Sequence, residues 1–172
     1  MDYTTRGMTN KEEKFVLGIF PNQLGFGYAF MENAYTLKDS QIVTARPMSN
    51  KSLMSRIREY VDIYEPEVVV LEDYNGNQSR KSRRVQKLID EITEYAKTKN
   101  IPVAKYSREQ IKFVFRQFNA RSKWEIAKVI TESIPKLAPK LKPKRKPYQA
   151  ERYSMGIFDS IALAISHYYF TD

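Results

Sequence analysis

Phe15-Val16-Leu17-Gly18-Ile19-Phe20-Pro21-Asn22 is apolar almost without interruption and closes on a proline. A half-exposed strand would alternate apolar and polar residues, so this stretch reads as a strand covered on both faces and central in its sheet. Pro21 has no N–H to give a ladder and marks the strand's end. Gly25-Phe26-Gly27-Tyr28-Ala29-Phe30 follows across a short turn, which predicts an antiparallel hairpin. The segment 34–46, with Tyr35, Leu37, Ile42 and Val43 and a stop at Pro47, predicts a third strand.

Beyond the hairpin the apolar period changes. Ser49 or Asn50 can cap a helix whose Leu53, Ile57, Tyr60, Val61 and Tyr64 recur at helical spacing, and the chain must leave it before Pro66. Val68-Val69-Val70-Leu71-Glu72 is the β-branched run of an interior parallel strand. After the turn Asn75-Gly76-Asn77, the residues Val85, Leu88, Ile89, Ile92 and Ala96 line one face of a helix expected over about 79–97. Ile101-Pro102-Val103-Ala104 predicts a short strand, and Ser107-Arg108-Glu109-Gln110 is a capping box with Ser107 at the N-cap and Gln110 three residues on. A further helix follows Arg121, with Trp124 as a packing anchor, and 150–169 forms the last helix on Phe158, Ile161, Ala162, Ile165 and Tyr168.

Composition narrows the function. The 172 residues, 42% apolar and 13% aromatic, can bury one core, so a single domain is expected over 14–172 behind a loose polar tail at 1–13. Lys and Arg number 29 against 20 acids, a net charge of +9 that points to a polyanion such as nucleic acid. The absence of cysteine excludes disulfides, cysteine zinc sites and thiol nucleophiles, and one histidine argues against a histidine-based triad. No run approaches the roughly 20 apolar residues of a membrane span, so a soluble, cytoplasmic protein with no membrane partner is expected.

Three groups of residues stand out chemically. Arg80, Lys81, Arg83 and Arg84 crowd the expected start of a helix, where the macrodipole disfavours cations; a solvated face and a phosphate-facing one explain them equally. Between 135 and 148, prolines alternate with Lys136, Lys140, Lys142, Lys144, Arg145 and Lys146, which predicts a loop and favours a basic arm tracking phosphates over a plain connection. Asp159 stands on an otherwise apolar helix and needs a partner or a cation, whereas His167 fits a capping or packing role.

The element order and four motifs together resemble the RuvC-type Holliday junction resolvases of the ribonuclease H-like superfamily. The motifs are Val16-Leu17-Gly18-Ile19-Phe20-Pro21, Val69-Val70-Leu71-Glu72, Gln110-Ile111-Lys112 with Lys123 eleven positions later, and Asp159-Ser160-Ile161-Ala162-Leu163-Ala164, spread over about 14–169. The resemblance implies an α/β fold with a mixed five-stranded sheet, its first three strands antiparallel, flanked by helices. It also implies four carboxylates holding two divalent ions, Mg²⁺ or Mn²⁺, that activate water against a phosphodiester.

Glu72 matches the acid of the fourth strand, and Asp159 matches the second acid of the last helix. Phe20 stands where the pattern has its bridging aspartate, Asn22 where it has a glycine, and Gly156 where it has the other helix acid. Asp73 points away from Glu72 if the strand continues, and Glu151 lies about 12 Å from Asp159 along a helix, so neither substitutes. Lys112 and Lys123 fall on the family's two basic residues near the scissile phosphate, and Tyr74 on an aromatic that probes bases. The expected function is binding of branched or structured DNA, as a homodimer if the family's habit holds, with two of four metal-binding acids lost and cleavage weak or absent. The alternatives are a metal-dependent, structure-selective endonuclease built on Glu72, Asp159 and a third ligand, and a non-catalytic scaffold.

Overall fold

A computed structural model describes residues 14–146 and 154–171; the tail at 1–13, Glu151 and the expected start of the last helix lie outside the described residues. β1 (Val16–Asn22) occupies the centre of a five-stranded sheet of order β3-β2-β1-β4-β5. β2 (Gly25–Asn33) pairs antiparallel with it from Val16↔Met31 to Asn22↔Gly25, and β3 (Thr36–Val43) pairs antiparallel with β2. β4 (Val68–Glu72) and β5 (Val103–Tyr106) extend the sheet on the other side in parallel. The ladder runs past Pro21, which the sequence marks as the strand's end. β4 pairs with β1 only as far as Gly18↔Val70, so beyond that point β1 has one neighbour and tolerates a residue with no N–H.

The helices cover both faces. α1 (Asn50–Tyr64), capped by Ser49, and α2 (Arg83–Thr98), capped by Ser82, bury Leu53, Ile57, Leu88 and Ile92 against Leu17, Ile19, Val69 and Leu71. The other face, through Val16, Phe20, Val68 and Val70, meets α3 (Arg108–Arg116), α4 (Lys123–Ser133) and α5 (Met155–Thr171). α3 opens on the expected Ser107–Gln110 capping box, and α4 on a second box, Ser122–Glu125. Further boundaries differ from the sequence reading, and β3 is shorter at both ends than the expected 34–46. α2 begins at Arg83 rather than near 79, because the Ser82 hydroxyl accepts the Val85 N–H and sets the cap. β5 begins at Val103 because Pro102 can accept from Val69 N but cannot donate. Part of the expected proline loop is a 3₁₀ helix, Pro135–Lys140, whose first residue loses no intrahelical bond by being proline.

α5 is buried from Met155 to Tyr168, as a helix apolar on all sides should be. It lies directly on β1 and β2: a Cβ on Gly18 would stand 2.4 Å from the Ser160 carbonyl oxygen, and one on Gly27 2.3 Å from that of Gly156. No other residue fits at either place without moving the helix. Among the described residues no helix is long and apolar enough to cross a membrane.

Candidate functional site at the ends of β1 and β4

Side chains alternate along a strand, so Phe20 shares a face with Val16 and Gly18, and Glu72 shares that face with Val68 and Val70. Two residues beyond the last β1–β4 pair, Phe20 and Glu72 are level with each other, and α5 crosses the same face carrying Asp159. All three are buried, at 4%, 2% and 5% exposed. The strand does end at Glu72: the next residue, Asp73, accepts the Asn75 N–H at Oδ1 in a turn, so its carboxylate is used locally.

Cations fill the space between these groups. Lys81, from the extended segment before α2, places Nζ 3.5 Å above the centroid of the Phe20 ring and donates to the Pro21 carbonyl at 2.9 Å. Lys123, at the start of α4, has Nζ 3.5 Å from Asp159 Oδ2 and 5.4 Å from the Phe20 centroid. Burial pushes the Lys81 ammonium down to about 8; Glu72 and Asp159 oppose that shift, while Lys123 and Arg108 reinforce it. Arg108, itself buried, is therefore a third cation within electrostatic reach. The centre sets three positive groups against two carboxylates.

A two-metal cluster does not fit this donor set. Divalent ions of the Mg²⁺ class require several oxygen ligands each. Phe20 presents an aromatic face where the resembled pattern has a bridging carboxylate, and Gly156 presents no side chain where it has the other helix acid. Among the described residues, no group of three or more acidic or histidine side chains could hold an ion.

The remaining sequence candidates lie around this centre in different states. Arg84 turns inward, with Nη2 donating to the Asn22 carbonyl and Nη1 to Asn50 Oδ1, both at 3.0 Å, while Asn50 Nδ2 returns a bond to the Arg84 carbonyl. The cations crowding the start of α2 thus divide: Lys81 and Arg84 hold the end of β1, and Arg80 and Arg83 are exposed. Lys112 donates to Gln78 Oε1 at 2.6 Å. Tyr74 is half-buried and donates its hydroxyl to Asp90 Oδ1 at 2.9 Å, a bond that raises its pKa. Lys142, Lys144, Arg145 and Lys146 are exposed, and the Lys142 carbonyl is held at 2.8 Å by Nε1 of Trp124, which anchors the arm rather than the core. His167 is buried with Nδ1 2.8 Å from the Tyr106 hydroxyl, a packing role. Sequence reasoning missed Arg108; its place at the first position of a capped helix gives no sign that it is buried within electrostatic reach of Lys81.

A central strand paired antiparallel on one side and parallel on the other, with a buried helix carrying Asp159 across the face that bears Glu72, is the mixed α/β arrangement that the sequence leads one to expect. No protein-family model matches the chain, and no curated protein matches it. Solved structures do. RuvC of Thermus thermophilus in complex with a Holliday junction substrate is 20% identical over 91% of this chain and 94% of that one, with a TM-score of 0.63. The yeast mitochondrial Holliday junction resolvase is 15% identical over 97% and 84%, at 0.61. The fowlpox virus resolvase, in a complex with Holliday junction DNA, is 16% identical over 90% and 99%, at 0.53. At these identities the likeness establishes the shared fold.

Proposed function

We propose that this chain binds branched DNA through a RuvC-like surface and does not cut it by two-metal chemistry. The second half is carried by one observation: Phe20, with the Lys81 ammonium 3.5 Å above its ring, occupies the level of Glu72 where the fold's pattern has a bridging carboxylate. The first half is supported by the net charge of +9, by exposed cations at Arg80, Arg83, Lys142, Lys144, Arg145 and Lys146, and by similarity to two resolvases solved with junction DNA. Lys112 and Lys123 supply charge beside the centre, and Tyr74, once released from Asp90, offers a ring on which an unpaired base can stack. A homodimer matches the two-fold symmetry of a four-way junction. Its mass in solution is the check.

Binding is tested by titrating junction, duplex and single-stranded DNA at several salt concentrations. The junction binds tightest, and each of the four arm residues 142, 144, 145 and 146 changed to Gln lowers the log–log salt slope by roughly 0.7 to 0.9. Tyr74→Ala weakens junction binding and leaves the slope unchanged. A chain that binds no nucleic acid at low salt is a scaffold instead. The enzyme reading has its own observation, the survival of Glu72 and Asp159 on one face, and it prevails if Mg²⁺ or Mn²⁺ supports junction cleavage that Glu72→Gln abolishes.

A further inference from the structure

Two buried carboxylates, Glu72 and Asp159, must be neutralised by something. In a two-metal centre the ions do it. Here the same space holds two side-chain ammonium groups flanking one aromatic ring, at 3.5 Å and 5.4 Å from its centroid. The face of a phenyl ring carries negative electrostatic potential and accepts an ammonium well, whereas it offers no lone pair to a hard divalent ion. The change from a carboxylate to Phe20 is therefore a change in the kind of cation the position can hold.

Lys81 is placed for this role. Its Nζ donates to the Pro21 carbonyl at 2.9 Å, its own carbonyl accepts Gln86 Nε2 at 3.0 Å, and the next residue, Ser82, is the N-cap of α2. Arg84, two residues further on, bonds the Asn22 carbonyl, so the segment bearing Lys81 is tied at both ends to the strand bearing Phe20. Lys123 is fixed as the first residue of α4 behind the Ser122–Glu125 capping box, and it reaches Asp159 at 3.5 Å. Arg108 adds a third positive group, so the centre keeps a surplus of positive charge after both acids are balanced.

We propose that Lys81 and Lys123 stand in for the divalent ions: their ammonium groups neutralise Glu72 and Asp159, and the surplus charge holds a phosphodiester oxygen of DNA without a metal. The phosphodiester half rests on the DNA reading above; the neutralising half does not.

The test has two arms. In the first, Mn²⁺ is titrated against the protein and the free ion is followed by its electron paramagnetic resonance signal. Wild type leaves millimolar Mn²⁺ free, Phe20→Asp alone takes it up weakly because Lys81 pairs with the new acid, and Phe20→Asp/Lys81→Ala takes it up at least tenfold more tightly. Uptake by wild type that Glu72→Gln abolishes overturns the proposal, as does equal uptake by the single and double variants. Should the double variant fail to fold, thermal unfolding in EDTA decides. Glu72→Gln lowers the midpoint in wild type and raises it in Lys81→Met; the same shift in both backgrounds, or a collapse of Lys81→Met that Glu72→Gln does not relieve, overturns the proposal.

In the second arm, junction affinity is measured in EDTA and in Mg²⁺ at matched ionic strength, and the two are equal. Binding only with Mg²⁺ defeats this inference and leaves the DNA reading standing. Exclusion of Mn²⁺ without junction binding at low salt defeats the DNA reading and the phosphodiester half, and leaves the neutralised centre standing.

Discussion

Two successive positions on one face of β1 are both covered and obey different rules. Gly18 lies beneath α5 with no room for a side chain, because the Ser160 carbonyl would be 2.4 Å from its Cβ. Phe20, two residues on, is nearly as well covered, yet its neighbours are the flexible tips of Lys81 and Lys123. Backbone against backbone cannot yield, whereas a long side chain can swing. The strand therefore combines a position where shape is fixed with a position where chemistry can change while the fold is kept.

Three measurements bear on that contrast. The largest effect is expected from Gly18→Val, which forces α5 off the sheet and lowers unfolding free energy by about 3 kcal/mol or more. Denaturant unfolding followed by circular dichroism reads it, and a midpoint equal to wild type would erase the distinction between the two positions. Phe20→Leu keeps an apolar side chain but removes the ring face under Lys81, at a cost of about 1 to 2 kcal/mol. If it costs as much as Gly18→Val, the site position is as rigid as the packing position.

The most gradual effect is a pH dependence. Folded Lys81 releases its proton near pH 8, whereas the unfolded chain keeps it to the ordinary lysine value of about 10.5. The unfolded state binds more protons across that window, so stability climbs as pH rises from 8, by about 1.4 kcal/mol per unit at most. Above pH 10 the trend turns down, because burial and bonds to Tyr64 and Asp39 hold the folded Tyr28 phenol neutral after its unfolded counterpart ionises. Unfolding of wild type beside Lys81→Met between pH 7 and 10 should show the climb in the first and not in the second.

What could be read from the chain follows the same division. The β1–β2 hairpin, the interior strand at Val68–Glu72 and the cap at Ser107 are local patterns, and each lies where the sequence places it apart from shifts of a residue or two. The four RuvC-like motifs were enough for the fold, since order along the chain and alternation along strands fix which face Glu72 and Asp159 share. The partners of Phe20 were not legible. Lys81 is 61 positions away on a segment without periodicity, and nothing local distinguishes it from the exposed Arg80 and Arg83. Only the tertiary fold decides that Lys81 and Arg84 turn toward the carbonyls ending β1. The start of α2 lies later than the sequence suggests for a related reason, since Ser79 and Ser82 can each cap and the choice of Ser82 depends on how the preceding segment is tied down.

The neighbourhood of Gly156 couples two positions of the sequence pattern. A side chain at 156 would begin 3.2 Å from Nδ2 of Asn22, whose Oδ1 is in turn bound to the Leu24 N–H at 2.8 Å. The pattern this chain resembles has the volumes the other way round, with glycine at position 22 and an acid at 156. A Cβ at 156 asks the tip of the Asn22 side chain to give by a few tenths of an ångström, and the Asn22 amide that gives way is a donor within reach of a new carboxylate. Position 22 is thus the neighbour through which an acid at 156 would be felt.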